Sequence, residues 1–151
     1  MKPTSARGGT RRGSSLVEFA LSATLLFPAL IGTFQIGYSL FVYNRLESAV
    51  RNGARYAALR AYDSATATPS AAFTTAVQNM VVYGSPSAGS SVVVPGLTTD
   101  KVSVSVSMVS GTPDVMKVSI ATFTIDAALM SFTITGKPFA SYRFQGRFAP
   151  P

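Results

Sequence analysis

The chain reads as an α+β protein in which a long N-terminal membrane-spanning helix continues into a small domain with an antiparallel β-sheet. Three observations predict this. Residues 16–43 are apolar apart from a single formal charge, Glu18, and a spanning helix needs about 20 predominantly apolar residues. Helical periodicity then continues to about residue 61, with Leu46, Ala49, Val50, Gly53, Ala54, Ala57 and Ala58 on one broad face. Residues 101–109 instead alternate strictly, Val102, Val104, Val106 and Met108 against Ser103, Ser105 and Ser107, which is the period of a half-buried strand.

Taken in order, residues 1–13 are a basic leader with almost nothing apolar, a composition that cannot bury enough surface to fold. Ser15 and Glu18 have the spacing of a capping box, Ser at N-cap and Glu at N3, so the helix is expected to start at Ser14 or Ser15. Residues 14–43 form the span. Pro28 inside it lacks an amide hydrogen and predicts a kink or local loosening, and Gly32 and Gly37 add weak points. Arg11 and Arg12 on the N-terminal flank orient the chain with its N-terminus in the cytoplasm and residues 44–151 outside. A cleaved secretory signal is the rival reading, but the apolar run exceeds the usual h-region of about 7–15 residues, and no small-x-small cleavage site follows it.

Outside the membrane, residues 44–61 predict an amphipathic helix with Glu47 and Arg51 as a favourable i,i+4 pair. Ala49, Gly53 and Ala57 make a small-residue ridge that lets another backbone approach closely; the partner is either the protein's own domain or a neighbouring subunit. A loop follows. Thr68-Pro69 reads as N-cap and first position of a short helix over about 69–83, stopped by Gly84. After a Ser/Gly/Pro-rich loop, the β region spans about 91–148. Residues 110–114 supply turn chemistry, residues 115–125 the return strand of a hairpin, residues 126–130 one helical turn, and residues 139–148 a last edge strand. Phe139, Tyr142, Phe144 and Phe148 read as core and edge-strand residues or as a docking surface, and Lys137 and Arg143 as charges that deter edge pairing. The sheet's Val/Met face needs cover, which the long helix supplies.

Composition closes off several function classes. The absence of cysteine excludes disulfides and thiolate metal sites. Histidine is also absent, which removes the commonest general base and metal ligand. The six acidic residues, Glu18, Glu47, Asp63, Asp100, Asp114 and Asp126, share no short motif, so neither a metal site nor paired-carboxylate chemistry is indicated. Serine and lysine are available for a Ser-Lys dyad, but no motif supports one and no enzyme is expected. The net charge of +7 is concentrated in the leader, where Lys2, Arg7, Arg11 and Arg12 have no acidic neighbour. The rest lacks the clustered Lys/Arg footprint of nucleic-acid binding. Neither a cofactor nor a small-molecule substrate is implied.

The segment Gly13-Ser14-Ser15-Leu16-Val17-Glu18-Phe19-Ala20, the apolar stretch with Pro28, and Leu46-x-x-Ala49-Val50-Arg51-x-Gly53-Ala54-Arg55 resemble the TadE-like family of minor pilins and pseudopilins of the tight-adherence (Tad, Flp-type) pilus system. The resemblance is carried by residues 12–60 and rests thereafter only on a hydrophobic hairpin and a short closing strand. It implies a pilin-like fold, an inner-membrane location with possible incorporation in a pilus, and a role in pilus assembly and cell adhesion. It also implies cleavage between Gly13 and Ser14 by a prepilin peptidase, with other pilin-like subunits and Tad membrane assembly proteins as partners. Glu18 becomes the fifth residue of the mature chain, and Phe19 stands where related major pilins usually have Tyr. That departure, and a folded domain as large as residues 61–151, point to an accessory component.

Glu18 has a chemistry independent of the resemblance. An ionisable group at the membrane threshold is costly and needs a partner. Cleavage before Ser14 would create an ammonium one helical turn away, at the positive end of the helix dipole. In an assembled bundle the partner is instead a neighbouring subunit's terminus. Two other readings stand beside this one: Ser15 and Glu18 merely cap the helix, or the chain is an unprocessed single-pass anchor whose outer domain binds an envelope partner.

Overall fold

The computed structural model describes residues 11–127 and 129–150, and they adopt the α+β arrangement expected. Helix α1 (Arg11–Leu59) is followed by α2 (Ala71–Tyr83), a 3-10 turn (Thr99–Lys101) and strands β1 (Val102–Val109), β2 (Thr112–Ile120), β3 (Thr122–Ala127), β4 (Met130–Thr135) and β5 (Phe139–Arg143). Strands β1, β2 and β5 form one antiparallel sheet in the order β1-β2-β5, and β3 and β4 form a separate hairpin.

The main sheet obeys its alternation. Val102, Val106, Met116, Val118 and Ile120 are buried, and cross-strand partners such as Val104 and Val118 lie on the same inward face. That face packs on α1 and α2. Ser103, Ser105, Ser107 and Lys117 line the exposed face. The distal half of α1 contributes Leu46, Val50, Ala54, Ala57 and Ala58 to the core, and α2 contributes Phe73, Val77, Val81 and Val82. Ala49, Gly53 and Ala57 are all buried, and a Cβ on Gly53 would overlap the side chain of Val81. The small-residue ridge is the seat of α2.

The chain's end closes the far end of α1. The Gln145 amide donates to the Ala58 carbonyl at 2.8 Å, Tyr62 N–H to Arg147 O at 2.8 Å, and Ala149 N–H to Tyr62 O at 2.9 Å. One of the orphan carbonyls at the helix C-terminus thereby gains a partner. Tyr62 anchors an aromatic cluster, edge-on to Phe73 and Phe144 and stacked on Phe148. Of the four C-terminal aromatics, Phe144 and Phe148 therefore pack on the core, while Phe139 and Tyr142 stay exposed.

Several boundaries differ from those expected, each for a local reason. Residues 1–10 of the leader lie outside the described residues, but 11–13 are helical, so Ser15 and Glu18 sit inside α1 rather than at its N-cap. Helix α1 runs on through Pro28. The N-cap of α2 is Ser70, not Thr68: its hydroxyl accepts from Phe73 N–H at 3.1 Å and donates to Asp63 at 2.7 Å, while Gly84 ends the helix with its N–H on Met80 O. The β1–β2 turn is only Ser110-Gly111, both with positive φ, the signature of a tight hairpin turn. Thr112, Pro113 and Asp114 belong to β2. Pro113 is tolerated because it lies beyond the part of β2 that pairs with β5, beside a register shift at Ser107/Met108.

The return strand is broken at Ala121, whose N–H donates to Lys101 O and whose carbonyl accepts from Gly136 N–H. The chain changes sheets there. Asp126, Ala127 and Met130 are then strand ends of the β3–β4 hairpin and Leu129 lies in its turn, not in a helical turn; Ala128 lies outside the described residues. The last strand ends at Arg143, and residues 144–148 fold back over Tyr62.

Candidate functional site

The candidate site is the proximal half of α1. Its most apolar 18-residue window has a mean hydropathy of 1.7, none of it covered by the rest of the protein. Leu16, Val17, Phe19, Leu21, Leu25, Leu26, Phe27, Leu30, Ile31 and Phe34 are all exposed, Phe34 by 79%. At about 2 kcal/mol for each side chain left in water, this surface represents on the order of 20 kcal/mol, more than the roughly 5–15 kcal/mol that stabilises a domain. One N-terminal helix is thus long and apolar enough to serve as a membrane anchor.

The few polar groups on this cylinder are largely self-satisfied. Thr24 donates to Ala20 O at 2.8 Å, Thr33 to Ala29 O at 2.9 Å and Ser39 to Gln35 O at 2.9 Å, back-bonds that spare each hydroxyl a partner in lipid. Glu18 is the charged group among those that are not. It is exposed, and among the described residues its carboxylate forms no hydrogen bond or ion pair. Ser14 lies four positions before it on the same helix and hence on the same face. Phe19 is exposed beside it. Gly13 has open space around it, and a Cβ there would meet nothing within 4 Å. Folding asks nothing of Gly13, in contrast to Gly53, Ala49 and Ala57.

The domain descends onto this helix. The β3–β4 hairpin runs back along α1, so that Asp126 and Ala127 reach Phe34, Gln35 and Tyr38 around a pocket of about 220 Å³. Gln35 is only 6% exposed, and its side-chain nitrogen has no hydrogen-bond partner among the described residues. Nothing in the sequence marks Gln35 as special. A single glutamine in an apolar run gives no periodic signal, and only the hairpin's descent buries it. Above this level, Arg45 stacks on Phe41 at 5.2 Å and donates to Val93 O at 3.4 Å, marking where charge returns to the helix.

Most of α1, from Gly13 through Glu18 to the end of its packed half, is also the part of the chain with known kin. Residues 13–55 match the TadE-like protein family. The TadE-like segment opens at Gly13, takes in Glu18 and Phe19, and closes on Gly53-Ala54-Arg55, where α1 is already packed against α2. It ties the chain to Tad-pilus-associated proteins. No curated protein and no solved structure matches the chain. Among the described residues no group of three His, Cys, Asp or Glu side chains is placed to hold a metal ion.

Proposed function

We propose that this protein is a membrane-anchored, pilin-like accessory component of a Tad-type pilus assembly, cut between Gly13 and Ser14 by a prepilin peptidase on the cytoplasmic side. It works by helix packing and by displaying its outer domain, not by catalysis. The observation that carries the reading is the coincidence, at the start of the TadE-like segment, of a glycine the fold does not need with an acid that has no partner among the described residues, on an exposed apolar helix. Glycine in a helix costs about 1 kcal/mol relative to alanine. Gly32 and Gly37 share that open space; what sets Gly13 apart is its place at the start of the TadE-like segment, five residues before Glu18, where a peptidase that must thread the backbone through its active site would use it.

After the cut, the Ser14 ammonium and Glu18 carboxylate lie one turn apart. In an assembly the carboxylate is free to take the terminus of a neighbouring subunit instead, so each arriving subunit neutralises a charge already in place. The test is expression in a host with an active prepilin peptidase of the native chain, Gly13→Val and Glu18→Gln. The native chain should be shortened and Gly13→Val should stay full length. Glu18→Gln should be shortened but recovered in assemblies at least about tenfold less, the loss expected when a buried ion pair is broken. Normal incorporation of Glu18→Gln would remove the assembly role of the acid. A native chain left uncut would leave the reading of an unprocessed anchor whose outer domain binds an envelope partner.

A further inference from the structure

We infer that the tip of the β3–β4 hairpin, through Leu129, Met130 and Phe132, is a second membrane contact that docks into the outer interfacial layer of the bilayer beside α1. The inference rests on the membrane-anchored reading of α1 and adds a site that the anchor alone does not require.

The hairpin is amphipathic. Thr122, Thr124, Asp126, Ser131, Thr133 and Thr135 share one face, and Thr124 and Thr133 are joined by a hydroxyl–hydroxyl bond of 3.0 Å. Phe123, Ile125 and Ala127 on the other face are buried against the helix. Their cross-strand partners Ile134, Phe132 and Met130 continue that apolar face past the helix edge. Ile134 is still partly covered, but Phe132 is 45%, Met130 58% and Leu129 74% exposed. The polar face is complete, whereas the apolar face is only half covered, and its bare half is at the tip.

Position decides what covers it. The tip meets α1 at Gln35, directly above the exposed apolar run from Leu16 to Phe34. From Glu18 to Gln35 the helix rises about 26 Å at 1.5 Å per residue, close to the roughly 30 Å hydrocarbon core of a bilayer. A bilayer whose inner edge lies near Glu18 therefore has its outer edge near Gln35. The exposed apolar surface of α1 does not stop there: Ile36, Leu40 and Phe41 continue on the side away from the hairpin. From Glu18 to Phe41 the helix rises about 35 Å, about 5 Å more than the hydrocarbon core needs, which places Tyr38, Phe41 and the hairpin tip together at the headgroup layer. Tyrosine is favoured at that depth. The bare apolar face thus adjoins the exposed apolar helix, and Asp126, on the hairpin's polar face by strand alternation, borders the pocket against Phe34, Gln35 and Tyr38.

The protein lacks cysteine, so single-cysteine labelling of the full chain in phosphatidylcholine/phosphatidylglycerol vesicles is clean. An environment-sensitive fluorophore is placed in turn at Leu129→Cys, at Leu25→Cys within the span, and at Val109→Cys beside the distal β1–β2 turn. Quenching is read with a shallow lipid-bound, a deep lipid-bound and an aqueous quencher. The label at 129 should respond most to the shallow lipid quencher and be at least about fivefold less quenched from water than that at 109, as for a group buried about 5–10 Å into the interface. The label at 25 should respond to the deep quencher. Deep quenching at 25 with purely aqueous quenching at 129 overturns the second contact and leaves the anchor standing. Shielding of 129 from all three quenchers overturns it in favour of a second protein copy. Aqueous quenching at 25 overturns the anchor itself.

Discussion

Single residues in this chain divide by whom they serve. Gly146 serves the fold, because a Cβ there would collide with the carbonyl of Arg60, where the C-terminal segment crosses the end of α1. Gly146→Ala should cost about 1–3 kcal/mol, the usual penalty for overpacking. Gly13→Ala should leave domain stability unchanged or raise helix stability by up to about 1 kcal/mol. Thermal unfolding of both variants in the same detergent checks the pair. Tyr62 also serves the fold. Burial raises its phenol above the ordinary value, an effect offset in part by the Ser64 hydrogen bond and reinforced by Asp63. A raised acid holds its proton longer in the folded state than in the unfolded one, so this stability is intact below about pH 10 and is lost as pH rises from there through the folded value. Tyr62→Phe should flatten that alkaline decline, at a cost of about 1 kcal/mol at neutral pH for the lost bond to Thr66 O, as read by denaturant titration across alkaline pH. Glu18 and Gly13 serve neither core nor cap, which is why their explanation lies outside the monomer.

At the scale of elements, what was legible followed from how completely a pattern was used inside the chain. The β1 strand showed in its Val/Ser alternation because the sheet buries one face and wets the other. The distal helix showed in its small-residue stripe because α2 fills it. The β3–β4 hairpin carries an equally regular pattern, from Thr122 to Ala127 and from Met130 to Thr135, yet the run of helix formers at its turn competes with it and favours a helical turn there. The capping-box spacing of Ser15 and Glu18 fits an N-terminus by spacing alone, whereas α1 already includes Arg11–Ser15, since extending a formed helix by a turn costs little. Gln35 was invisible altogether, since only the hairpin buries it. That seat makes a prediction. An amide buried without an acceptor costs about 1–3 kcal/mol, and Gln35→Met keeps the length while removing the polar group. It should raise stability by about 1 kcal/mol and slow hydrogen exchange in Phe123–Ala127; a loss of stability would mean that the amide has a partner in the membrane-bound protein.

At the scale of the whole molecule, the chain is a long helix, apolar enough in its lower half to serve as an anchor, with a domain folded around its upper half. The lower half of α1 is bare and apolar and the upper half is partly covered by the domain, the covering beginning where the hairpin meets Gln35 while Ile36, Leu40 and Phe41 stay exposed. The TadE-like segment runs across this boundary, from Gly13 to Arg55, and so includes both the bare helix and the start of the domain core. The central claim is that the N-terminal leader is temporary and that Glu18 works beside a terminus created by its removal. Intact mass with N-terminal sequencing of the protein from membranes of its native host tests this most directly. The account predicts a chain beginning at Ser14; a membrane-inserted chain that still carries residues 1–13, in cells with an active prepilin peptidase, would contradict it.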